Sequence, residues 1–533
     1  MIQVSSTQQP VETKKITRKP LLANVRMLRW SLPLILAFQA LLSEILLRNT
    51  AFQDEALYLF VGRQIINSWI GQPYFPVQWV YFLSGYAYFY PVIGGGLAMI
   101  GGVELARMFS LLCIMCVTAS VYYVTKRIFD YHSAILAAAL FAFQGPVLFL
   151  GRLATYDALC LLLIALAVVL ALHVSLARRS WAILGIGPLL VLAILAKFAG
   201  LLFVPIPFAM LIWCSLERQG WRKMLIRLGM ALCSLAVAGV IAYLTLDKTA
   251  LHAVSASTTS RDVVVKTAPL FLIQYIGTLG GVAFALGLLG VVLGGRRRLL
   301  IGLLLFGSSL LAPAYHIYKG ELISLHKHLA FSMFFVMPLA GYAVARISGF
   351  LDSSPISAQN IALLNKAKIA SITSRRRILS FGRYLLPALA FCLITFSLGT
   401  QQAQSLYGAW APSTSLTYAM RTQVRLASGR YLAEDFDVCR FYLQDVTELW
   451  QWNSLDFFDY TDKQQHYLVG KDAYRAAINE GYFAIVELSY GYNASLAIFI
   501  DQQLKASKKY QLIDRIPNSN SYGTGYFWIW RKL

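Results

Sequence analysis

Residues 181–214 read WAILGIGPLLVLAILAKFAGLLFVPIPFAMLIWC and contain a single charged side chain, Lys197. As one α-helix this stretch would be about 50 Å long at about 1.5 Å per residue. A hydrocarbon layer of about 30 Å needs only about 20 apolar residues. The stretch is therefore too long for one crossing, and we divide it at Lys197 into two short membrane spans, 181–196 and 198–214. The direction of every later span depends on this division.

The same apolar character extends over most of the chain. Of the 533 residues, 58% are hydrophobic and 14% are charged, whereas soluble domains are about 45–50% apolar and about 25% charged. This composition excludes a soluble globular protein, and it excludes a disordered chain, which needs low hydrophobicity. It predicts an all-α polytopic membrane protein of about eleven transmembrane helices. The predicted spans are 30–48, 105–125, 133–150, 156–177, 181–196, 198–214, 225–245, 271–294, 299–315, 328–347 and 380–398.

The distribution of positive charge supports the division at Lys197. The chain carries 47 Lys and Arg against 25 Asp and Glu. Residues 1–399 hold 34 basic and 12 acidic residues, whereas residues 400–533 hold 13 of each. With the N-terminus in the cytoplasm, every inner connection receives at least two positive charges, including the run Arg296–Arg298, as the positive-inside rule expects. The basic excess is therefore an orientation signal of a multi-pass plasma-membrane protein, and nucleic acid is not an expected partner.

This orientation divides the chain into three regions. Residues 1–29 form a basic cytoplasmic segment, residues 30–399 form the transmembrane domain, and residues 400–533 form a domain outside the cytoplasm. In the last region strand-like and helix-like segments alternate, which predicts a small α/β domain. Asp435 and Asp437 in this region fit a turn at a strand end better than a metal site. The strand-like segments are 426–433, 483–488 and 526–531, and the helix-like segments are 471–480 and 494–505.

Ionisable residues of several segments fall at the outer ends of the predicted spans. Such residues are costly at a membrane edge unless they face water or one another. Their collection on one face favours an outward-facing polar cavity over scattered rim charges. These residues are Asp54, Glu55, Asp157, Lys197, His252, Arg261, His316, Lys319, Glu321, His326, Lys327 and His328.

Two stretches place carboxylates at this face. The first outer segment, 49–104, begins with the acidic pair of RNTAFQDEALY (48–58), and GRLATYD (151–157) leads directly into a span. Each stretch alone has a plain structural explanation, since an acidic pair is favoured at a helix N-terminus by the helix dipole. Lys197 could likewise extend to the interface as an ordinary snorkelling residue.

Taken in order, these motifs resemble those of a known family. The Asp-Glu pair of the first outer loop, the Arg-x-x-x-Tyr-Asp of 152–157, Lys197 between two short spans and the polar tail are similar to the polyprenyl-phosphate-sugar-dependent glycosyltransferases of the GT-C fold. Within this group the chain resembles the family 39-like branch, which includes protein O-mannosyltransferases and the aminoarabinose transferase acting on lipid A. The resemblance covers nearly the whole chain.

The resemblance implies an enzyme that moves a single hexosyl or pentosyl unit. The sugar would leave a polyprenyl-phosphate carrier and be captured, with inversion, by an acceptor at the outer membrane face. The acceptor class, whether protein, lipid or polysaccharide, is left open. Two other functions of a polytopic chain also remain open, namely a transporter or flippase of lipid-linked sugars and a glycan polymerase or ligase.

The resemblance also assigns residues to the expected chemistry. Capture of a sugar at an oxocarbenium-like centre needs a base for the acceptor proton. Asp54 matches the catalytic carboxylate, Glu55 has a weaker claim to an orienting or acceptor contact, and Asp157 matches a second acidic position that supports the sugar or the site geometry.

The departing phosphate needs cations or hydrogen-bond donors. Lys197 is the best match because its ammonium is a point charge at membrane-surface depth, and Arg261 and Lys327 follow. Tyr58 of the Asp-Glu motif and His328 complete the expected substrate-binding set.

One stretch departs from the pattern of the aminoarabinose-transferase branch. That branch carries Glu-Lys-Pro-Pro before its second span, whereas residues 84–92 of this chain read SGYAYFYPV and carry neither charge. The departure puts a metal at that position and the same acceptor in doubt. His316, His326 and His328 come from one loop and make a weak metal site, so the sequence indicates no cofactor and leaves a divalent cation open.

Overall fold

The computed structural model describes residues 30–71, 83–176, 181–259, 266–349, 373–491 and 493–533. It contains a bundle of long helices followed by a C-terminal domain with a β-sheet. The helices of the bundle are α1 (Ser31–Leu46), α2 (Gln53–Trp69), α3 (Tyr90–Ile128), α4 (Tyr131–Ala142), α5 (Gly145–Gly151), α6 (Tyr156–Leu176), α7 (Ile186–Ala196), α8 (Pro205–Gln219), α9 (Trp221–Thr245), α10 (Lys248–Thr259), α11 (Pro269–Lys319), α12 (Leu325–Ile347) and α13 (Thr373–Tyr407). Short 3₁₀ helices at Trp181–Gly185 and Phe198–Phe203 precede α7 and α8.

The bundle has the helices that a multi-pass membrane protein needs. In the described residues, seven helices are long and apolar enough to cross a membrane, or eight if the bent pair α4–α5 counts as one span, and two further apolar helices are shorter. One of the seven, α11, is broken at Gly295, where φ is 61°. The chain doubles back there, because a Cβ on Gly302 would lie 3.5 Å from Val291 and a Cβ on Gly287 would lie 3.5 Å from Phe306. Each predicted span coincides with one of these helical segments, and the membrane-protein class is confirmed.

The chain reverses its direction at Lys197, as the division of 181–214 predicts. Helix α7 runs antiparallel to α6, since the Cys160 thiol contacts the Ala193 carbonyl oxygen at 3.4 Å and Gly185 lies beside Leu170. The segment after Lys197 runs parallel to α6, because Ser215 Oγ lies 3.3 Å from Ser175 Oγ near the far end of both helices. Lys197 itself has extended backbone angles, φ −153° and ψ 127°, and ends α7.

Close helix packing holds the bundle around α12. This helix is almost wholly buried, so it is apolar on all sides rather than along one stripe. Its neighbours approach through glycine, as is common between membrane helices. A Cβ on Gly341 of α12 would lie 2.5 Å from the backbone oxygen of Ser133, and one on Gly290 of α11 would lie 2.3 Å from the backbone oxygen of Leu339.

The C-terminal domain is a small α/β unit, as predicted. Its five-stranded sheet has the order β2-β1-β5-β7-β6, in which β1 is parallel to β2 and β5, and β7 is antiparallel to β5 and β6. Its strands are β1 (Arg430–Ala433), β2 (Trp452–Ser454), β3 (Asp459–Thr461), β4 (Tyr467–Val469), β5 (Phe483–Leu488), β6 (Tyr510–Asn520) and β7 (Gly523–Lys532). Its helices are α14 (Thr414–Leu426), α15 (Phe436–Leu443), a 3₁₀ turn (Leu449–Gln451), α16 (Gly470–Glu480) and α17 (Ala494–Ala506).

One predicted strand is shorter than expected. The strand-like segment 426–433 begins inside the last turn of α14, and β1 occupies only Arg430–Ala433. The other predicted segments fall on β5, β7, α16 and α17. The last membrane helix also runs on to Tyr407, beyond the predicted end at residue 398.

The C-terminal domain docks on the bundle through α15. Val438 and Phe441 of α15 pack with Ala56 and Phe60 of α2, and the Tyr442 hydroxyl accepts a hydrogen bond of 2.9 Å from the backbone N–H of Ala51. The sheet domain therefore lies against the start of α2.

Candidate active site

Helix α2 begins where the first carboxylates of the sequence motif occur. Phe52 is its N-cap residue, with extended backbone angles, and Asp54 and Glu55 lie in the first turn. The Glu55 carboxylate accepts a 2.8 Å hydrogen bond from the Phe52 backbone N–H, which satisfies a donor that the helix leaves unpaired. The acidic pair thus starts the helix, and its two members then point to different surroundings.

Glu55 is fully buried and bound on both oxygens. Arg107 Nε donates to Oε1 at 2.8 Å and Arg107 Nη2 donates to Oε2 at 2.7 Å, and the Ala154 backbone N–H donates to Oε1 at 2.7 Å. Bidentate pairing of this kind fixes geometry as well as charge. Glu55 therefore joins α2, α3 and the turn before α6, a geometry that favours the orienting role over contact with a substrate.

Asp54 has a different environment from Glu55. Its carboxylate accepts a hydrogen bond from Lys327 Nζ on α12, and its side chain is 33% exposed while that of Lys327 is 3% exposed. The ammonium of Lys327 also lies 5.3 Å from the centre of the Phe52 ring, at cation–π distance. Asp54 is thus an accessible carboxylate held against a buried cation.

Asp157 and Lys197 form a second ion pair at the same end of the bundle. Lys197 Nζ donates to Asp157 Oδ1, and both side chains are at most 5% exposed. Thr155 Oγ1 donates to Asp157 Oδ2 at 3.0 Å, and the Lys197 ammonium lies 5.3 Å from the centre of the Tyr156 ring. Both members of this pair have protein partners, as a buried charge requires.

Two tyrosines join the ion pairs into one site. Tyr58, one turn after Asp54 on α2, donates its hydroxyl to that of Tyr156 at 2.6 Å, and the rings stack with centroids 4.4 Å apart. Tyr156 precedes Asp157 in the chain, so the contact connects the two carboxylates. We call Asp54, Tyr58, Tyr156, Asp157, Lys197 and Lys327 the ion-pair cluster, and the end of the bundle that contains it the cluster end.

The stretch that departs from the family pattern supports Lys197 through its backbone. The Tyr86 N–H donates to the Leu195 carbonyl at 2.7 Å, and the Phe198 N–H donates to the Ser84 carbonyl at 2.8 Å. A Cβ on Gly85 would lie 2.2 Å from the Ala196 carbonyl oxygen. Where the family pattern has a charged pair, this chain packs the backbone of residues 84–86 against the turn that carries Lys197.

The histidines near Lys327 bind one another and the backbone. A 2.7 Å hydrogen bond joins His316 Nε2 and His328 Nδ1, and another joins His316 Nδ1 to the Glu321 carbonyl. The His326 ring packs edge-on against Phe149. Within the described ranges, no group of three or more His, Cys, Asp or Glu side chains is placed to hold a metal ion.

Other predicted residues lie away from the cluster or outside the described residues. Arg261 and the segment 1–29 lie outside the described residues. His252 is exposed on α10. Asp435 precedes α15 and Asp437 lies in its first turn. Asp437 pairs with Arg440 at 2.8 Å, and burial raises the pKa of its carboxyl to about 6.

Sequence reasoning assigned no role to three residues that build the site. Tyr156 bridges the two ion pairs, Arg107 clamps Glu55, and Arg152 pairs with Glu44 and Glu104 beside that clamp. A usable signal existed, because Arg152 lies within the carboxylate motif 151–157 and Arg107 lies just after the first outer segment, 49–104. Their acidic partners are at least 48 residues away in the sequence, except that Glu104 is three residues before Arg107.

Comparison with known proteins gives a partial match to one family and a shared fold. Residues 90–243 match the sequence profile of the dolichyl-phosphate-mannose-protein mannosyltransferase family. A search of curated protein sequences finds no significant match. The fold is similar to that of ArnT from Cupriavidus metallidurans in the apo state, with a TM-score of 0.56 and 14% identity over 95% of this chain and 98% of that chain.

Two ligand-bound structures share the fold. ArnT from Cupriavidus metallidurans bound to undecaprenyl phosphate matches with a TM-score of 0.52 and 12% identity, covering 95% of this chain and 98% of that chain. The oligosaccharyltransferase AglB from Archaeoglobus fulgidus, in complex with an inhibitory peptide and a dolichol-phosphate, matches with a TM-score of 0.55 and 14% identity, covering 93% of this chain and 74% of that chain. The profile match covers less than a third of the chain, and the solved structures share its fold at 12–14% identity. The chain is therefore a multi-pass membrane protein with the GT-C fold, of which residues 90–243 are similar to the protein mannosyltransferase family.

Proposed function

We propose that the chain transfers a single sugar from a polyprenyl-phosphate carrier to an acceptor at the outer face of the plasma membrane, with inversion and with Asp54 as the base. The observation that carries the proposal is the ion-pair cluster, in which the accessible carboxylate of Asp54 contacts buried Lys327 and a second buried lysine, Lys197, belongs to the same cluster. The polyprenyl phosphates in the similar ArnT and AglB structures support the choice of donor.

Asp54 suits the role of base because it is both held and accessible. Glu55, the next residue, is clamped by Arg107, so the first turn of α2 is fixed while the Asp54 side chain remains one-third exposed. A carboxylate can take the proton of an acceptor hydroxyl as that oxygen bonds to the anomeric carbon. In the same step the bond between the anomeric carbon and the phosphate oxygen breaks, and its electron pair stays with the phosphate.

The two lysines suit the departing phosphate. As the bond to the sugar breaks, negative charge grows on the phosphate, and a cation in a dry site stabilises that charge far more than one in water. Lys327 contacts the exposed carboxylate and can turn toward a bound phosphate, whereas Lys197 is locked to Asp157 in the buried part of the cluster. We assign Lys327 and Lys197 to the phosphate, and Asp157 to holding Lys197.

Orientation follows from the charge distribution. We place the N-terminus in the cytoplasm and the ion-pair cluster and C-terminal domain outside, because the arginine-rich connections then lie inside. The acceptor would approach from the outer side, where α15 of the C-terminal domain borders α2.

The test uses the purified full chain with several radiolabelled polyprenyl-phosphate sugars and candidate acceptors. We expect wild type to label an acceptor and Asp54→Asn to lower turnover by about a hundredfold or more, since general-base catalysis is worth about 10²–10⁴. Asp472→Asn, which removes an exposed carboxylate of α16 that pairs with Arg475, is the matched control and should retain turnover. Turnover near wild type in Asp54→Asn would refute the assignment, and movement of donor without acceptor labelling would indicate a transporter.

A further inference from the structure

A charged cavity lies at the opposite end of the bundle from the ion-pair cluster. It has a volume of about 200 Å³, and its lining includes four arginines and one glutamate. The arginines come from the ends of three elements, namely Arg127 at the end of α3, Arg218 at the end of α8, and Arg297 with Arg298 at the turn of α11. We call it the arginine cavity.

The arginine cavity is separate from the proposed active site. Asp157 lies in the first turn of α6, and Leu172, which lines the cavity, lies 15 residues further along the same helix. At about 1.5 Å per residue this separation is about 22 Å. Lys327 lies in the first turn of α12, whereas Tyr342, near the other end of that helix, contacts Arg298. The cavity therefore cannot serve the sugar transfer directly.

Aromatic rings hold two of the arginines in place. The Arg298 guanidinium lies 4.9 Å from the centre of the Tyr342 ring and 5.3 Å from that of Phe129, and Arg127 lies 5.2 Å from that of Tyr123. Stacking of this kind restrains a guanidinium while leaving its N–H donors available. Planar N–H donors match the oxygen atoms of a phosphate.

The lining combines charged and apolar side chains. The four arginines outnumber Glu217, so the charged part is positive, and the apolar part includes Ile128, Leu172, Trp213 and Ile301. Apolar side chains would not stabilise a free inorganic anion, whereas they can pack against the apolar part of an amphiphile. We propose that the arginine cavity binds the phosphate headgroup of an anionic membrane lipid, whose acyl chains contact the apolar side chains of the lining.

Ordinary orientation signals would explain basic residues at this end without any binding site. They would not explain why residues from three separate elements surround one cavity. The same end also carries Lys223 and Arg296, which lie close in sequence to the lining residues but do not line the cavity. These two residues provide a control with the same loss of charge.

The experiment measures lipid binding to the purified full chain in a neutral detergent. A short-chain phosphatidylglycerol is titrated and the bound lipid is counted by native mass spectrometry, with phosphatidylcholine as the uncharged comparison and inorganic phosphate as competitor. The variants are Arg218→Gln/Arg297→Gln and the control Lys223→Gln/Arg296→Gln. We expect the first variant to weaken phosphatidylglycerol binding by about tenfold or more, as two lost cations predict, and the control to bind as wild type does.

Three results would overturn the proposal. Equal weakening in both variants would mean that surface charge alone attracts the lipid. Equal affinity for phosphatidylcholine would mean that the phosphate charge is not recognised. Displacement by inorganic phosphate at the concentration of the lipid itself would mean that the cavity takes a soluble anion. Sugar transfer by Arg218→Gln/Arg297→Gln in detergent is expected to remain, so failure of this proposal is distinguishable from failure of the proposed activity.

Discussion

Among single residues, the two lysines of the ion-pair cluster have different freedom. Lys327 binds a carboxylate that is one-third exposed, whereas Lys197 binds one that is almost fully buried. Breaking a buried ion pair on one side leaves an uncompensated charge and costs about 3–5 kcal/mol. A simple loss of activity on removing Lys197 would therefore confuse a role in phosphate binding with a role in stabilising the fold.

We expect Lys197→Ala to lower both the unfolding free energy and the use of the donor. The double variant Asp157→Asn/Lys197→Ala removes the orphaned charge and should recover most of the stability but not the donor affinity. High donor concentration should recover turnover only in part, because the phosphate gains charge in the transition state. Thermal unfolding and donor-dependent kinetics measure the two effects. Recovery of donor use in the double variant would show that Lys197 serves only to neutralise Asp157.

The sequence predicts which end of the bundle a charged residue occupies, but it does not predict contacts with residues far away in the chain. The positions of Asp54, Asp157, Lys197 and Lys327 at one end follow from span lengths and charge. The different roles of Asp54 and Glu55 do not follow from the sequence. They depend on Arg107, which lies 52 residues after Glu55 and binds its carboxylate. Two adjacent carboxylates look alike in sequence until the fold shows which one has its oxygens occupied.

At the level of elements, the uncharged residues 84–86 hold the turn at Lys197 in position. Residues 84–86 bond to the backbone of residues 195–198 on both sides of the turn. The close approach depends on Gly85, because any larger side chain would meet the Ala196 carbonyl oxygen. The absence of a charged pair in this stretch is therefore compatible with a defined place in the site.

We expect Gly85→Ala to lower turnover by about tenfold or more, since small displacements of a positioned group are costly in catalysis, while the helical bundle stays folded. The added methyl would lie 2.2 Å from a carbonyl oxygen and must displace the turn that bears Lys197. Gly277→Ala is the control, because a Cβ on Gly277 of α11 meets nothing within 4 Å. Circular dichroism and steady-state kinetics report the two properties. Unchanged kinetics in Gly85→Ala would mean that the turn tolerates the shift.

The helices and strands that the sequence predicts best are those formed by a continuous run of apolar residues. The membrane helices and β5, which is buried along its whole length, follow from composition. Strand β6 was not predicted, because Tyr510–Asn520 is mostly polar and half exposed, and it is held by pairing with β7 along its length. Strand β1 has only four residues, too few for an alternating pattern to locate its start after α14.

For the whole molecule, the proposed orientation can be measured directly. The turn of α11 at Gly295 and the turn between β6 and β7 lie on opposite sides of the bundle in our assignment. We expect a membrane-impermeant maleimide to label Tyr522→Cys in intact cells and Arg296→Cys only after permeabilisation, with the parent chain giving the background of its own cysteines. Tyr522 is 85% exposed, so its replacement should not disturb the fold. The reverse pattern of labelling would invert the orientation.

The C-terminal domain and the bundle share a contact that reaches the proposed base. Tyr442 of α15 accepts a hydrogen bond from the backbone N–H of Ala51, three residues before Asp54. Arg440 of the same helix lies 4.1 Å from the centre of the Phe60 ring on α2. The domain therefore borders the start of α2 with a polar contact as well as apolar packing, so it could set the position of Asp54.

We expect Tyr442→Phe to lower turnover severalfold with little change in the overall unfolding temperature. The substitution keeps the ring but removes the acceptor of the Ala51 N–H, and an unsatisfied donor of this kind costs about 1–3 kcal/mol, which local movement of residues 50–54 can relieve. Tyr418→Phe on α14 is the matched control, because Tyr418 is 77% exposed. If Tyr442→Phe and Tyr418→Phe are equally active, the domain merely abuts the bundle and does not position Asp54.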